Sequence, residues 1–376
     1  MKVLLLCGEA SGENLLHEYL DCLLELHPTA DFWCQTSLAR WSLQGYEKNP
    51  RCHFLSDRAV CSVMGIIQPL WNARALLGRF FFLSKIIREK HFDLVIGFDN
   101  PDFLLHLEKI AKDSGSYVVH VVSPSAVWVW RPQRVYTIER NTHELHHLFK
   151  FEENLYLKTL SLKKVYIGHP LLRSITPVLR SKKLIKTLLL APGSRAFEVR
   201  NHLPFFIRLA ETLKRAGLIE HFIISVAPNL SADLYPSQYS SIFCYDWSAA
   251  IAESDFAFVC SGTATLEVAA HGCPSFIFYH VASWKKFLMS FVVQTKYVGL
   301  PNVLAQREIC TEFIGPCNQD MFNSVMKSFE QVNYTSYALT LYDSMKQILN
   351  DNKSICLQTV CAELLSRVLM KQGVDV

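Results

Sequence analysis

The sequence predicts an α/β protein made of two Rossmann-like parallel-sheet domains, and three observations predict it. Short apolar, β-branched runs alternate with longer amphipathic segments, as strands covered by helices on both faces do. The alternation runs to "YIGHPLLRS" (166–174), where Gly168 and Pro170 interrupt it, and then starts again. With 376 residues, half of them hydrophobic, the chain can fill two cores of ordinary size. The expected domains are 1–168 and 169–345. A C-terminal helix over 346–376 is expected to pack back on the first domain or on a partner subunit.

Strands are expected at Val3–Cys7, Phe32–Gln35, Leu94–Phe98, Val118–Val122 and Val165–Ile167 in the first half. Helical patterns separate them at Asn14–Leu26, Ala73–Glu89 and Phe103–Lys112. The second half repeats the scheme with strands at Thr187–Leu190, Phe222–Val226, Ile242–Tyr245, Phe256–Cys260 and Phe276–Tyr279. From Asp320 onward the pattern reads as wholly helical, ending with Ser354–Met370.

Composition narrows the function. A net charge of +4 is too small for a nucleic-acid binder, but it suits acidic phosphates or an anionic membrane surface. Twelve cysteines scatter through apolar runs without a C-x-x-C pair, which points to reduced thiols, no zinc site and a cytoplasmic setting. The start, "MKVLLLCGEASG", has an apolar stretch too short for a signal peptide and reads as a first strand and turn. No run is long and uncharged enough to span a bilayer.

Several turns carry groups suited to chemistry. In "GEASG" (8–12), Gly8 and Gly12 allow close backbone approach and Ser11 can cap the following helix. The pattern is not G-x-G-x-x-G, so a nicotinamide or flavin cofactor is disfavoured; an ordinary βα turn explains it equally well. "APGSR" places Gly193, Ser194 and Arg195 at a helix N-terminus, where a fixed cation needs an anion to share it. Its bland account is a pair with Glu198. In "SGTATLE", Ser261, Gly262 and Thr263 offer donors at a second helix end. With Thr263 as the N-cap, Glu267 falls beyond the capping-box position and is available to a ribose diol. The competing account is a favourable charge on the helix dipole.

"IGFDNPDF" (96–103) puts Asp99 at a strand's C-terminal end, as a candidate general base for a hydroxyl nucleophile. Asp102 has an ordinary place in a first helical turn. "THELHHLF" offers three histidines, but His146 points away from His143 and His147 on a strand, so no metal is expected. "VVSPSAVWVWRPQR" carries Ser123, Trp128, Trp130 and Arg131 in a loop beside that strand edge. Residues 62–88 interleave Met64, Ile66, Ile67, Leu70, Phe81 and Phe82 with Arg74, Arg79, Lys85 and Arg88. That is an interfacial pattern, although a core helix with a basic outer face produces it too.

Taken in order, "GEASG", "VMGI", "GFDNPDF", "VSPSAVWVWR", "IGHP", "APGSR", "SGTATLE" and "TKYVGLPNVLA" resemble the lipid-A-disaccharide synthase family. The resemblance implies a GT-B fold, with a central cleft between the two domains and the nucleotide-sugar held mainly by the second. It implies inverting transfer from UDP-2,3-diacylglucosamine to 2,3-diacylglucosamine 1-phosphate (lipid X), giving a β-1,6-linked disaccharide and UDP. Asp99 then matches the base and Arg195 the residue that neutralises departing UDP. Gly193, Ser194, Ser261, Gly262 and Thr263 match the diphosphate site, Glu267 the ribose site, and Asn302 a polar position at the cleft. Gly8, Ser11, Gly12, Ser123, Trp128, Trp130 and Arg131 fall in the acceptor or donor loops. The UDP-sugar is a substrate; neither cofactor nor metal is implied. Acylated substrates turn Met64, Ile66, Ile67, Leu70, Phe81 and Phe82 into a membrane contact on the cytoplasmic face of the inner membrane, and a homodimer is expected. A UDP-sugar 2-epimerase, the peptidoglycan N-acetylglucosaminyltransferase and a non-catalytic UDP-binding homologue are the alternatives. Three departures from the family pattern are Ala126 in the tryptophan loop, Lys150 in place of Pro, and Gln306 in place of Gly.

Overall fold

The structure, a computed structural model, describes all residues except 9, 58–67, 125–131, 174, 181–184, 229, 282–295, 354 and 374–376. Two units make up the chain: residues 1–169 with 355–376, and residues 170–354.

In the first unit, apolar runs such as "KVLLLC" and "LVIGF" sit centrally, because parallel strands covered on both faces must be apolar throughout. The strands are β1 (Lys2–Cys7), β2 (Asp31–Thr36), β3 (Cys52–Asp57), β4 (Leu94–Phe98), β5 (Tyr117–Val121), β6 (Glu144–His147) and β7 (Lys163–Tyr166). They pair in the order β3-β2-β1-β4-β5-β6-β7, all parallel. The strand order reverses between β1 and β4, and open sheets of this kind bind ligands beyond the strand ends at such a point.

Helices α1 (Ala10–Leu26), α2 (Leu38–Leu43), α3 (Gln68–Lys90), α4 (Pro101–Asp113) and α5 (Arg134–Asn141) complete the connections. One face of α3 contributes Leu83 and Ile87 to a core with Leu4, Leu6, Val95 and Leu104. Its other face leaves Leu77, Phe81 and Phe82 exposed among Arg74, Lys85 and Arg88. The core reading describes the packed face, and an exposed apolar stripe with basic neighbours lies on the opposite face. Met64, Ile66 and Ile67 lie outside the described residues, as does the side chain of Leu70.

The second unit repeats the plan. Its strands are β8 (Thr187–Ala191), β9 (His221–Ser225), β10 (Phe243–Cys244), β11 (Phe256–Cys260), β12 (Ser275–His280) and β13 (Thr311–Gly315). They pair in parallel as β10-β9-β8-β11-β12-β13, with the reversal between β8 and β11. Its helices are α6 (Pro170–Arg173), α7 (Ala196–Arg215), α8 (Trp247–Glu253), α9 (Thr263–Ala270), α10 (Leu300–Ala305), α11 (Gln319–Gln331) and α12 (Tyr334–Lys353).

A last helix, α13 (Leu357–Lys371), packs on α1 in the first unit. Arg367 anchors it there, its Nε and Nη2 donating to the buried Glu144 on β6 at 2.6 and 3.0 Å. The chain thus returns to the first unit at residue 355, later than the expected boundary at 346.

Strands β3, β6 and β13 are absent from the sequence expectation. "ELHH" in β6 conceals itself because Glu144, His146 and His147 are polar yet fully buried. "CHFLSD" in β3 and "TEFIG" in β13 are outermost strands in which polar residues break up the apolar run. The edge strand β7 covers Lys163–Tyr166, starting two residues earlier than the expected Val165.

Candidate active site

In the first unit, the turn after β1 meets the turn after β4 at the reversal point. Gly12 packs tightly there: a Cβ on it would stand 3.1 Å from the Phe98 carbonyl and 3.2 Å from Asp99 Cβ. A Cβ on Gly8 would stand 2.3 Å from Asn100 Cβ. These glycines let α1 close against the turn that carries Asp99, so here they pack protein against protein. Ser11 is the second residue of α1 rather than the residue before it, which places it past the N-cap position.

Asp99 lies half-buried just beyond the end of β4, with φ +57°, and Asn100 follows at φ +44°. Val122, just beyond the end of β5, has φ +81°, a conformation that costs a β-branched residue heavily. The Asp99 N–H donates to Val121 O at 3.0 Å, and Asp99 Oδ1 accepts the Asn100 N–H at 2.8 Å. Left-handed non-glycine residues gathered around one carboxylate mark a place where surrounding structure enforces an unfavourable backbone, a frequent property of functional turns. Asp102, in the first turn of α4, pairs with Arg134.

One other expectation changes. Ser123 is buried, its hydroxyl bonded to the Tyr156 hydroxyl at 2.8 Å, so among the described residues it serves packing within the unit. Trp128, Trp130, Arg131 and Ala126 lie outside the described residues. The histidines of β6 and its approach each have a protein partner. His143 Nδ1 accepts the Val118 N–H at 3.0 Å, His146 bonds Tyr19 at 2.6 Å and Glu144 at 3.0 Å, and His147 meets Phe149 O at 3.0 Å.

In the second unit, a cavity of about 420 Å³ opens at the reversal point between β8 and β11. Gly193, Ser194, Arg195, Ser261, Gly262, Thr263 and Glu267 all line it. Gly193 is required twice over: φ is +120°, and a Cβ would fall 2.4 Å from Glu198 Oε2. Glu198 caps α7, with Oε2 accepting the N–H groups of Ser194 at 3.0 Å and Arg195 at 3.3 Å. Its Oε1 pairs with Arg195 Nη1 at 2.9 Å, yet the Arg195 side chain stays 62% exposed at the cavity wall. The pairing with Glu198 and exposure at the cavity wall thus coexist in one side chain.

Gly262, at φ +155°, is the residue before α9, and Thr263 is its first residue rather than its cap. Ser261 sits beside them, its hydroxyl donating to Val298 O at 3.1 Å. Thr263 and Ala264, the first two residues of α9, thus stand at the cavity wall with Gly262, and the start of a helix is a favourable place for an anion. Glu267 takes the indole N–H of Trp247 on its Oε2. Burial pushes its carboxyl above the usual range, opposed by that indole donor and by His271.

Asn302 does not join this site. It is fully buried; its Nδ2 donates to Cys310 O and Glu312 Oε1 at 2.6 and 2.8 Å, and its Oδ1 accepts from Ile309 and Cys310 at 2.7 and 2.8 Å. Every polar group of the amide is used to hold α10 against the approach to β13, so its role is structural. Conversely, the cavity wall includes Ser225–Pro228, Tyr245 and Trp247, none of them singled out from the sequence. The rule that ligands gather beyond the carboxyl ends of strands points to them, because they end or follow β9 and β10.

Two of the departures acquire a local reason. Gln306 ends α10 at φ +52°, the left-handed position that glycine favours. Lys150 opens a 3₁₀ turn over Lys150–Tyr156, where proline's missing N–H would cost nothing.

A doubled parallel-sheet plan with a cavity at the second reversal point is the GT-B fold. Solved structures agree on the fold: Acinetobacter baumannii MurG aligns with a TM-score of 0.51 at 11% identity, covering 94% of this chain and 99% of that one. Arabidopsis thaliana UGT89C1 complexed with UDP gives 0.56 at 13% identity, covering 98% and 99%. The chain belongs to the lipid-A-disaccharide synthetase family, whose model matches residues 3–363. It is a glycosyltransferase of lipid A disaccharide synthesis. Lipid-A-disaccharide synthase of Chromobacterium violaceum is 31% identical over 334 residues, 84% of each chain. That of Francisella philomiragia is 28% identical over 357 residues, covering 90% of this chain and 92% of its own. Among the described residues, no helix is long and apolar enough to cross a membrane.

Proposed function

We propose that this enzyme transfers the sugar of UDP-2,3-diacylglucosamine to the 6-hydroxyl of 2,3-diacylglucosamine 1-phosphate, with inversion, releasing UDP. The observation that carries the reading is the cavity of the second unit. It combines a helix N-terminus, an exposed arginine and a carboxylate in the proportions a nucleoside diphosphate needs. The diphosphate takes N–H donors from Gly262 and Thr263 and charge from Arg195, and Glu267 takes the ribose hydroxyls. Asp99 removes the proton from the acceptor hydroxyl as the new bond forms at the anomeric carbon. The bond to the UDP oxygen breaks, and Arg195 with the α9 N-terminus stabilises the charge that develops there. These fixed positive groups do the work of a divalent metal, so turnover should survive EDTA.

The exposed stripe of Leu77, Phe81 and Phe82, flanked by Arg74, Lys85 and Arg88, supports docking on an anionic leaflet where acylated substrates reside. On this reading the enzyme is peripheral, on the cytoplasmic face of the inner membrane. A homodimer follows from family resemblance, and sedimentation equilibrium checks it.

The deciding experiment incubates purified protein with both acylated substrates and follows disaccharide formation by mass spectrometry. Asp99→Ala should abolish turnover while UDP binding persists; near-wild-type turnover removes Asp99 as the base. Arg195→Ala should weaken UDP binding and rate together, and unchanged UDP affinity takes it out of the phosphate site. Phe81→Ser with Phe82→Ser should reduce sedimentation with anionic vesicles at unchanged stability.

A further inference from the structure

The cavity of the second unit contains two carboxylates with different local environments. Glu198 has both oxygens occupied, by two backbone N–H groups and by Arg195. Glu267 has one oxygen occupied. Its Oε2 accepts the Trp247 indole N–H, and its Oε1 has no hydrogen-bond partner among the described residues. A glutamate terminal torsion is broad and roughly two-fold, so an unheld carboxylate on α9 would present either oxygen over a wide arc. The indole can only donate, so it engages the carboxylate in one sense alone. Trp247 is itself fixed. It is the first residue of α8, whose N-cap Asp246 accepts the Ala249 N–H at 3.0 Å, and its ring packs on the core formed by Leu189, Ala257 and Val259.

We propose that Trp247 is a positioning residue: by holding Glu267 Oε2 it aims Oε1 at the sugar hydroxyls of the bound nucleotide, and so sets discrimination between ribose and deoxyribose diphosphates. The proposal rests on the assignment of this cavity to a UDP-sugar. The balance of effects on Glu267 supports it, because burial favours the protonated acid and the indole donor works against that. Loss of the donor removes both the aim of the carboxylate and part of what keeps it ionised.

Calorimetric titration of the full chain with UDP and with 2′,3′-dideoxy-UDP tests the idea. Wild type should prefer UDP by about tenfold or more, the scale of one charge-assisted hydrogen bond. Trp247→Phe keeps a ring in the wall but has no donor. It should lower UDP affinity toward that of the dideoxy ligand while leaving the dideoxy affinity unchanged. Trp247→Leu, which also lacks the donor, should repeat the pattern. Equal weakening of both ligands would show a merely structural wall residue and overturn the proposal; so would intact discrimination in both variants. Glu267→Gln separates this from the reading beneath it. If wild type fails to bind UDP, or if Glu267→Gln keeps full discrimination, the ribose assignment of Glu267 fails and the role of Trp247 falls with it. If Glu267→Gln loses discrimination and Trp247→Phe does not, only the role of Trp247 is refuted.

Discussion

Two neighbouring strands of the first unit carry ionisable side chains into the core, whereas three neighbouring strands of the second carry phenylalanines. On β5 and β6, His120, Glu144, His146 and His147 are all fully buried. On β11, β12 and β13, the matching interior holds Phe256, Phe258, Phe276, Phe278 and Phe313 in mutual ring contact. A ring cluster tolerates exchange of similar volume, because dispersion and apolar burial have little directional demand. A buried hydrogen-bonded polar pair does not, since removal of one partner strands the other in a poorly polar medium. The difference has a bearing on Asp99. Glu108 pairs with His120 at 2.7 Å and lies against Gly97, two residues before Asp99 on the same stretch of chain. A directional polar core thus supports the strand that carries the proposed base, while a volume-filling core supports the strands that form the cavity.

Substitution at Gly97 should break this contrast most severely. A Cβ there would stand 2.0 Å from Glu108 Oε1, so Gly97→Ala must displace a buried, paired carboxylate. We expect a loss above about 4 kcal/mol in urea unfolding, against about 1–2 kcal/mol for Phe258→Leu in the other unit. Comparable losses would mean that the two cores respond alike.

Next in size is Arg367→Met, which leaves Glu144 buried with Tyr117 and His146 as its remaining partners. The expected cost is about 3–5 kcal/mol. Amide exchange should accelerate in α13 and leave the second unit unchanged; slow exchange in α13 would show that apolar packing on α1 suffices to hold it.

Acid should separate the units through the same group. Burial alone would raise the Glu144 carboxyl, but donors on His146, Arg367 and Tyr117 outweigh it and hold it at about 2 against an ordinary 4.5. A depressed carboxyl contributes stability that is fully present above the unfolded value and is lost as pH falls through the folded one. The first unit should therefore weaken between pH 4.5 and about 2, by on the order of 3 kcal/mol from this group. Unit-resolved hydrogen exchange at pH 3 reads this directly, and Glu144→Gln should flatten the dependence. A parallel weakening of the second unit would contradict the contrast.

The smallest effect sharpens the picture from the other side. Gln306 holds a left-handed backbone in the second unit, and its side chain donates to Val303 O at 2.6 Å. Gln306→Gly should raise the melting temperature, with a gain of up to about 1 kcal/mol. A decrease would show that the side-chain bond outweighs the backbone strain.

The doubled plan was legible because most buried parallel strands are apolar throughout, so "KVLLLC", "LVIGF", "TLLLA" and "FAFVC" stand out in a linear reading. The strand "ELHH" did not, since the burial of Glu144 and His146 depends on partners distant in sequence: Tyr19, Tyr117 and Arg367. Asn302 illustrates the converse error. A polar residue in a motif invites a ligand role, and only the fold shows that Ile309, Cys310 and Glu312 already use both ends of its amide.

Residue chemistry marked particular turns in advance: Gly193 and Gly262, where φ is positive, the small polar residues beside them, and the carboxylate of Asp99 at a strand tip. The tertiary structure alone decided which turns meet. Parallel pairing sets β8 beside β11 and so brings Gly193–Arg195 together with Ser261–Thr263, some seventy residues later. It also decided which polar groups remain available, leaving Glu267 with one oxygen held by Trp247 while Asn302 is fully used. The physical reason is that a hydrogen bond is satisfied by proximity in space, which the linear order of residues does not record.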